Sequence, residues 1–334
     1  MHIEDLPTPA LVIDADAFDR NLATMSAALP GTRLRPHVKA HKCTSIAAAQ
    51  AAIGHRTFTC ATPREVIGMA AAGLGDDLLL ANETVDATRL AAMAACEGNV
   101  TVAVDSEATL GAAVAAGLRA CLIDVNVGLP RCGVAPDRAG HLADLARARG
   151  MTVRGVMGYE GHLMMVPEHA DREAQVAASM TLLLRAHADV GGDIVSAGGT
   201  GTFDLHEHTG VTEVQAGSYA LLDTHYGSLG LPFVQAAFIL GTVISLGPEW
   251  AVADVGLKAL GMDHGNPSVV GGSVWFCSDE HVVFSCEPGG TVAVGERVHV
   301  VPAHIDPTMA MHEAAWLVRD GEVLDRWPID LRLW

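Results

Sequence analysis

The sequence predicts a parallel (β/α)8 barrel followed by an all-β domain. Three observations carry this reading. Eight mostly apolar strand-like segments alternate with helical ones between Leu34 and Leu222. Helical spacing stops after Leu231-Pro232, and short strands separated by turns follow. No Gly-x-Gly-x-x-Gly loop follows the first strand, which the alternative, a doubly wound open sheet, would normally carry.

Ala10–Ile13 reads as an N-terminal strand free to join the β domain. Asp14–Leu29 reads as a helix, with Phe18, Leu22, Met25 and Leu29 at helical spacing. The alternation then opens with strand Leu34–Lys39 and the alanine-rich helix Thr44–Ile53. Strand Thr57–Cys60 is followed by a helix that Pro63 starts and Gly73 ends. Strand Asp77–Ala81 precedes helix Val85–Cys96, and strand Val100–Val104 precedes helix Glu107–Ala115. Strand Ala120–Val127 precedes helix Ala139–Arg149, and strand Val153–Tyr159 precedes the long helix His169–Val190. Asp193–Ala197 and Glu213–Leu222 complete the eight. Beyond them, strands are expected at Phe238–Leu246, Trp250–Asp254, Ser273–Cys277, His281–Cys286, Arg297–Val301 and Ala314–Arg319, with turns at Gly289-Gly290 and Asp320-Gly321. The expected division is a barrel over residues 14–232 and a β domain made of 1–13 and 233–334.

The 334 residues are half apolar and lack long charged or Ser/Gly/Pro tracts, which describes a fully globular chain. A net charge of −18 argues against nucleic acid or an anionic membrane surface as partner. Seven scattered cysteines without C-x-x-C spacing fit buried free thiols in a reducing compartment. Met1-His2-Ile3-Glu4-Asp5 offers neither a basic n-region nor an apolar h-region, so no signal peptide and a cytoplasmic location are expected. The longest apolar run, Ala236 to Leu246, is too short to span a bilayer.

One stretch concentrates charge. Arg35-Pro36-His37-Val38-Lys39-Ala40-His41-Lys42 packs five basic or potentially basic side chains into eight residues of an acidic protein. Strand alternation puts Arg35, His37 and Lys39 on one face, where leaving them unpaired is costly. A bound anion, or a lysine consumed as an imine, resolves that cost; a solvated strand end is the competing reading. Neighbouring cations and partial burial lower a lysine's pKa, as attack on a carbonyl requires.

Barrel chemistry sits at the C-terminal ends of the strands. Strand five ends in Asp124-Val125-Asn126-Val127-Gly128-Leu129-Pro130-Arg131-Cys132-Gly133, where Arg131 between glycines can reach into the barrel mouth as a fixed planar donor. Strand six ends in Tyr159-Glu160-Gly161-His162, and a neutral His162 can accept a proton from a hydroxyl. Strand seven runs into Ser196-Ala197-Gly198-Gly199-Thr200-Gly201-Thr202, and strand eight into Gly217-Ser218-Tyr219. Two small-residue turns with hydroxyls at those positions mark the usual barrel phosphate site. In the β domain, Val301-Pro302-Ala303-His304-Ile305-Asp306-Pro307-Thr308 places an imidazole and a carboxylate on one face of an extended segment, by itself a weak metal signal.

Arg-Pro-His-x-Lys-x-His-Lys, some 25 residues after Thr8-Pro9-Ala10-Leu11-Val12-Ile13-Asp14, resembles the N-terminal signature of the D-threonine aldolase and D-serine dehydratase family. These are fold-type III pyridoxal-phosphate (PLP) enzymes, built as an alanine racemase-like barrel with a β domain. The resemblance covers nearly the whole chain and implies roles by position. Lys39 holds PLP as a Schiff base, with His37 beside it. Arg131, in a Gly-x-x-Arg-x-Gly segment, stands by the PLP hydroxyl. Tyr159 packs near the pyridine ring and His162 is a catalytic base. Gly199, Thr200, Gly201, Gly217, Ser218 and Tyr219 contact the cofactor. The segment Pro-x-His-x-Asp/Cys-Pro binds a divalent cation near PLP, which here assigns His304 and Asp306. Asp306, where the dehydratases carry Cys and zinc, favours Mn²⁺ or Mg²⁺, with Zn²⁺ possible. One departure is Ala310, where the family usually has Asn in Pro-Thr-Val-Asn.

The resemblance implies a PLP- and metal-dependent lyase, D-threonine aldolase-like, cleaving D-3-hydroxy amino acids to glycine and an aldehyde, and assembled as a homodimer. A D-serine or 3-hydroxyaspartate dehydratase is the alternative. A non-catalytic PLP carrier is disfavoured by the β domain and the His-x-Asp segment. An alanine racemase is disfavoured because all three tyrosines (159, 219 and 226) precede residue 235.

Overall fold

The computed structural model describes all 334 residues. Strand β1 (Ala10–Asp14) leads into the helix Ala15–Ala28. Seven parallel strands follow, each entered from a helix or loop: β2 (Thr57–Cys60), β3 (Asp77–Leu80), β4 (Val100–Val104), β5 (Ala120–Asp124), β6 (Thr152–Met157), β7 (Ile194–Ala197) and β8 (Glu213–Val214). They pair in sequence order, β2 through β8. Helices start where the sequence supplies caps. Thr62 accepts the Glu65 N–H ahead of Pro63, and Ser106 and Thr109 form a capping box.

The strand expected at Leu34–Lys39 is reduced to two parallel bridges, Leu34 to Val214 and His37 to Thr59. Pro36 explains the interruption, since it has no N–H to give to a ladder. The segment still joins both edges of the sheet. Arg35 N–H donates to the Val214 carbonyl at 2.9 Å, His37 N–H to Ala216 at 3.0 Å, and Thr59 N–H to the Pro36 carbonyl at 2.9 Å. The segment therefore takes the eighth position, between β8 and β2. Lys39 lies just past it, in the short 3-10 turn Val38–Ala40. The expected eighth strand, Glu213–Leu222, is strand only at Glu213–Val214, and Ser218–Ala220 forms a 3-10 turn.

The barrel interior is layered. At the N-terminal end of the strands, Arg35 Nε donates to Glu213 at 2.8 Å and Nη2 to Asp77 at 3.2 Å. Arg154 grips the same Asp77 carboxylate with two bonds of 2.7 Å and also donates to Thr101. Burial alone would raise the Asp77 carboxyl, but Arg154 and Arg35 outweigh it and hold it below the ordinary carboxylate range. Arg35 thus takes its counter-charge from the protein's own acids. It is not one of three cations awaiting an anion with His37 and Lys39. Above this layer, Leu79, Ala103, Leu122 and Met157 form an apolar one.

The remaining strands are β9 (Ala237–Leu246), β10 (Ala251–Ala253), β11 (Ser268–Val269), β12 (Gly272–Cys277), β13 (Val282–Cys286), β14 (Arg297–Val301), β15 (Ala314–Arg319) and β16 (Glu322–Pro328). With β1 they form a nine-stranded sheet in the order β10-β13-β12-β11-β14-β9-β1-β15-β16, closed by pairing of β10 with β9. β1 joins antiparallel to β9 and parallel to β15. Its apolar face packs Ala10 and Val12 with Ile3, Leu6, Leu240 and Val318. β11 and β16 were not expected. β11 is only two residues long, and β16 (Glu-Val-Leu-Asp-Arg-Trp-Pro) mixes charge into both faces.

By contacts the chain divides into one unit of residues 25–39, 46–217 and 333–334, and another of 1–24, 40–45 and 218–332. The first contains the barrel strands and the second the nine-stranded sheet. No helix is long and apolar enough to cross a membrane.

Removing one partner of a buried ion pair strands the others. Arg35→Met is expected to cost about 3–5 kcal/mol of folding stability, read from urea unfolding at neutral pH.

Candidate active site

In the barrel unit, two expected residues converge on the ring of a third. Lys39 Nζ lies 5.7 Å from the centroid of the Tyr159 ring, and Arg131 Cζ lies 5.3 Å from it. Cations are attracted to the face of a phenol, which helps hold an amine and a guanidinium close together. Each reaches the ring from a different strand end. The His37 ring accepts the Lys39 N–H on Nδ1 at 3.4 Å, tightening the turn that carries the lysine. Arg131 sits in a loop shaped by Asn126, whose amide donates to the Leu129 carbonyl at 2.8 Å and to the Cys132 carbonyl at 3.2 Å. Asn126 Oδ1 accepts the Gly128 N–H at 3.0 Å.

Tyr159 follows β6, and Gly161 leaves room for its ring. A Cβ at 161 would stand 2.3 Å from Tyr159 Cε1. His162 is exposed, and its ring lies against Gly128, where a Cβ would stand 2.9 Å from its Cε1. The β5 and β6 loops therefore interlock, with His162 at the junction.

Between Tyr159 and Gly161 sits the residue that sequence reasoning passed over. Glu160 is fully buried. It accepts hydrogen bonds from the Gly198 N–H at 3.2 Å and the Thr202 hydroxyl at 2.8 Å, and His206 Nε2 lies 3.1 Å from it. Burial raises its carboxyl, but the His206 bond and charge and the Thr202 hydroxyl outweigh this and hold it below the ordinary range. Glu160 thus ties β6 to the Gly198–Thr202 turn. In that turn Gly199, Thr200 and Gly201 are buried, and a Cβ at 201 would stand 2.2 Å from the Met164 carbonyl. The signal for Glu160 was its place: an acid beside an aromatic at a strand end.

A second unanticipated group lies at the ends of β3, β4 and β5. Ligand atoms of Glu83, Asp105 and Cys132 lie within 4.8 Å of one another. Burial, then the charge and hydrogen bond of Glu83 and the charge of Asp105, push the Asp124 carboxyl well above the ordinary range. Burial and Glu83 push the Cys132 thiol up to about 11.

In the other unit, Gly217 directly precedes the turn that holds Ser218 and Tyr219. The Ser218 hydroxyl donates to Asp306 Oδ1 at 3.0 Å, and Tyr219 is fully buried against Phe233. The segment expected to be extended is not. His304 is the N-cap of the helix Ile305–Met311, with Asp306 in its first turn. Pro307 is tolerated there because first-turn N–H groups need no intrahelical partner. Asp223 fixes the start of this helix, accepting the Ile305 N–H at 3.0 Å while also capping Thr224–Gly227. His304 Nδ1 lies 2.7 Å from Asp263 Oδ2, and its ring stacks on His264 at 3.9 Å. Asp263, His264 and His304 bring their ligand atoms within 4.8 Å of one another; Asp306 is outside that group.

The barrel residues suit PLP. A half-buried amine stands beside an aromatic face, a guanidinium suits the phenolate oxygen, and a glycine turn suits the phosphate. Fold and site together define a pyridoxal-phosphate-type enzyme of alanine racemase architecture. Residues 13–224 match the alanine racemase N-terminal domain, and residues 236–318 match the putative serine dehydratase domain. The chain belongs to the D-threonine aldolase and D-serine dehydratase family. It is 37% identical to a D-threonine aldolase of Arthrobacter sp, over 97% of this chain and 92% of that protein. It is 31% identical to a 3-hydroxy-D-aspartate aldolase of Paracoccus denitrificans, over 99% of this chain and 94% of that one. The crystal structure of D-threonine aldolase from Filomicrobium marinum superposes with a TM-score of 0.93 at 34% identity, covering 98% of this chain and 96% of that one.

A carboxyl held low in the fold contributes stability above its unfolded pKa, about 4.3 for Glu, and loses it as pH falls through the folded value. Glu160→Gln is therefore expected to lose less stability than the parent on acidification below about pH 4, although less stable at neutral pH; urea midpoints across pH test this.

Proposed function

We propose that the protein is a PLP- and divalent-metal-dependent lyase that cleaves D-3-hydroxy amino acids to glycine and an aldehyde, in the manner of D-threonine aldolase. The observation that carries this reading is Lys39 and Arg131 on the ring of Tyr159 at the strand ends, in a chain so similar to aldolases.

Lys39 is the attachment point for the cofactor, and its turn, braced by His37, fixes the amine in place. Arg131 neutralises the phenolate oxygen. Gly199, Thr200 and Gly201 receive the phosphate, with Gly217, Ser218 and Tyr219 as further contacts. Tyr159 backs the pyridine ring. Bound PLP supplies an electron sink for the pair left at Cα when Cα–Cβ breaks. His162 accepts the proton of the substrate's β-hydroxyl as that oxygen becomes the aldehyde carbonyl, and Cα takes up a proton to leave as glycine. His304 and Asp306 hold the divalent cation, which supplies Lewis acidity toward the hydroxyl. Oxygen and imidazole donors suit Mn²⁺ or Mg²⁺, with Zn²⁺ as a third candidate. The active species is a cytoplasmic homodimer.

Incubation with D-threonine, PLP and Mn²⁺ is expected to yield glycine and acetaldehyde in equal amounts, abolished by chelator. Ammonia and 2-oxobutanoate instead would make it a dehydratase. Lys39→Ala is expected to lose the cofactor's visible absorbance on dialysis and to lower turnover at least about a thousandfold. Retention of both would refute the role given to Lys39.

A further inference from the structure

We propose that Glu160 is a positioning residue for the cofactor's phosphate: it sets the shape of the turn 198–202, and through that shape how tightly the turn holds a phosphate group. The inference rests on the assignment of Gly199, Thr200 and Gly201 to the phosphate.

The carboxylate uses both of its oxygens on one stretch of chain. Oε2 accepts the Gly198 N–H at 3.2 Å. Oε1 accepts the Thr202 hydroxyl at 2.8 Å and lies 3.1 Å from His206 Nε2. The Thr202 oxygen in turn accepts the Gly199 N–H at 3.3 Å, and the Thr202 N–H donates to the Gly199 carbonyl at 3.2 Å. Two N–H groups of the turn are therefore taken up by Glu160 or by the hydroxyl it holds. The N–H of Gly201, a buried residue, has no partner within the protein. A buried backbone donor left unpaired is rare and costly, and successive turn amides of this kind are where anions bind. Glu160 thus draws two donors of the turn to itself and leaves a third for an anion.

Glycine lets the turn close this far onto the carboxylate. Gly198 has a φ of +80°, and a Cβ there would stand 2.8 Å from His206 Nε2. A lone carboxylate behind a phosphate-binding turn would weaken it by repulsion. Here the Glu160 and His206 side chains are both fully buried against one another, and the imidazole and the Thr202 hydroxyl face the negative charge. The carboxylate can shape the turn without standing as an isolated anion beside the phosphate.

The test compares PLP with pyridoxal, which lacks the phosphate, each titrated into protein stripped of cofactor and followed by visible absorbance. The parent is expected to bind PLP far more tightly than pyridoxal. Glu160→Ala removes both acceptors, and Thr202→Val removes the hydroxyl with its shape kept. Each should weaken PLP by about tenfold or more while pyridoxal affinity stays within about twofold, and the ³¹P resonance of bound PLP should move. Thr202→Ser should restore the parent preference. Should Glu160→Ala fail to fold, Thr202→Val decides the matter alone. A parent-like preference for PLP in Thr202→Val, or equal losses for PLP and pyridoxal, would overturn the proposal and leave the phosphate assignment standing. A parent protein that binds pyridoxal as tightly as PLP would overturn both.

Discussion

The barrel depends on how residues 34–37 join its two edges. Backbone bonds from this segment run to Val214 and Ala216 on one side and to Thr59 on the other. Pro36 spares the segment one donor, so the join is made by bridges rather than a full ladder. Arg35 sits inside the closed ring, where a lone guanidinium would be untenable. Asp77 and Glu213 answer its charge, and Arg154 shares Asp77. This polar layer fixes the register of the join, and the register fixes where Lys39 emerges. The chemical group is placed by an interaction at the opposite end of the strands.

A buried carboxylate organises the other side of the barrel mouth in a similar way. Glu160 gathers a backbone N–H, a hydroxyl and an imidazole, and each comes from the 198–206 stretch. Its neighbour Tyr159 offers its ring to Lys39 and Arg131. Adjacent residues at one strand end therefore divide the work, one anchoring the glycine turn and the other presenting a surface. In the sheet unit Asp223 does comparable duty, joining two helix starts and so aiming His304.

Much of this was legible in the sequence. Strands such as Val100–Val104 and helices such as His169–Val190 follow from apolar periodicity and caps, both local signals. Lys39, Arg131 and Tyr159 stood out because each ends a strand beside glycine or a cluster of charge. What was not legible depends on partners distant in sequence. Arg35 resembles its neighbours His37 and Lys39 until Asp77 and Glu213 are seen against it. Glu160 resembles a solvated acid until His206 folds back onto it. His304 and Asp306 read as alternating strand residues, since nothing local announces that Asp223 nucleates a helix there. Asp263 and His264 lie some 40 residues before His304, and the contacts of Gly261 with His304 and Thr308 and of Ala259 with His312 bring them near.

The join at residues 34–37 also bears on how the molecule is made. Arg35 and Glu213 are 178 positions apart in the chain. Pairing over such a span carries a large loop-closure entropy and raises contact order, which slows folding. During synthesis the strand Thr57–Cys60 therefore lacks its first neighbour's other anchor until β8 has left the ribosome. Until then an apolar sheet with two open edges is exposed, the kind of intermediate that associates wrongly with other nascent chains.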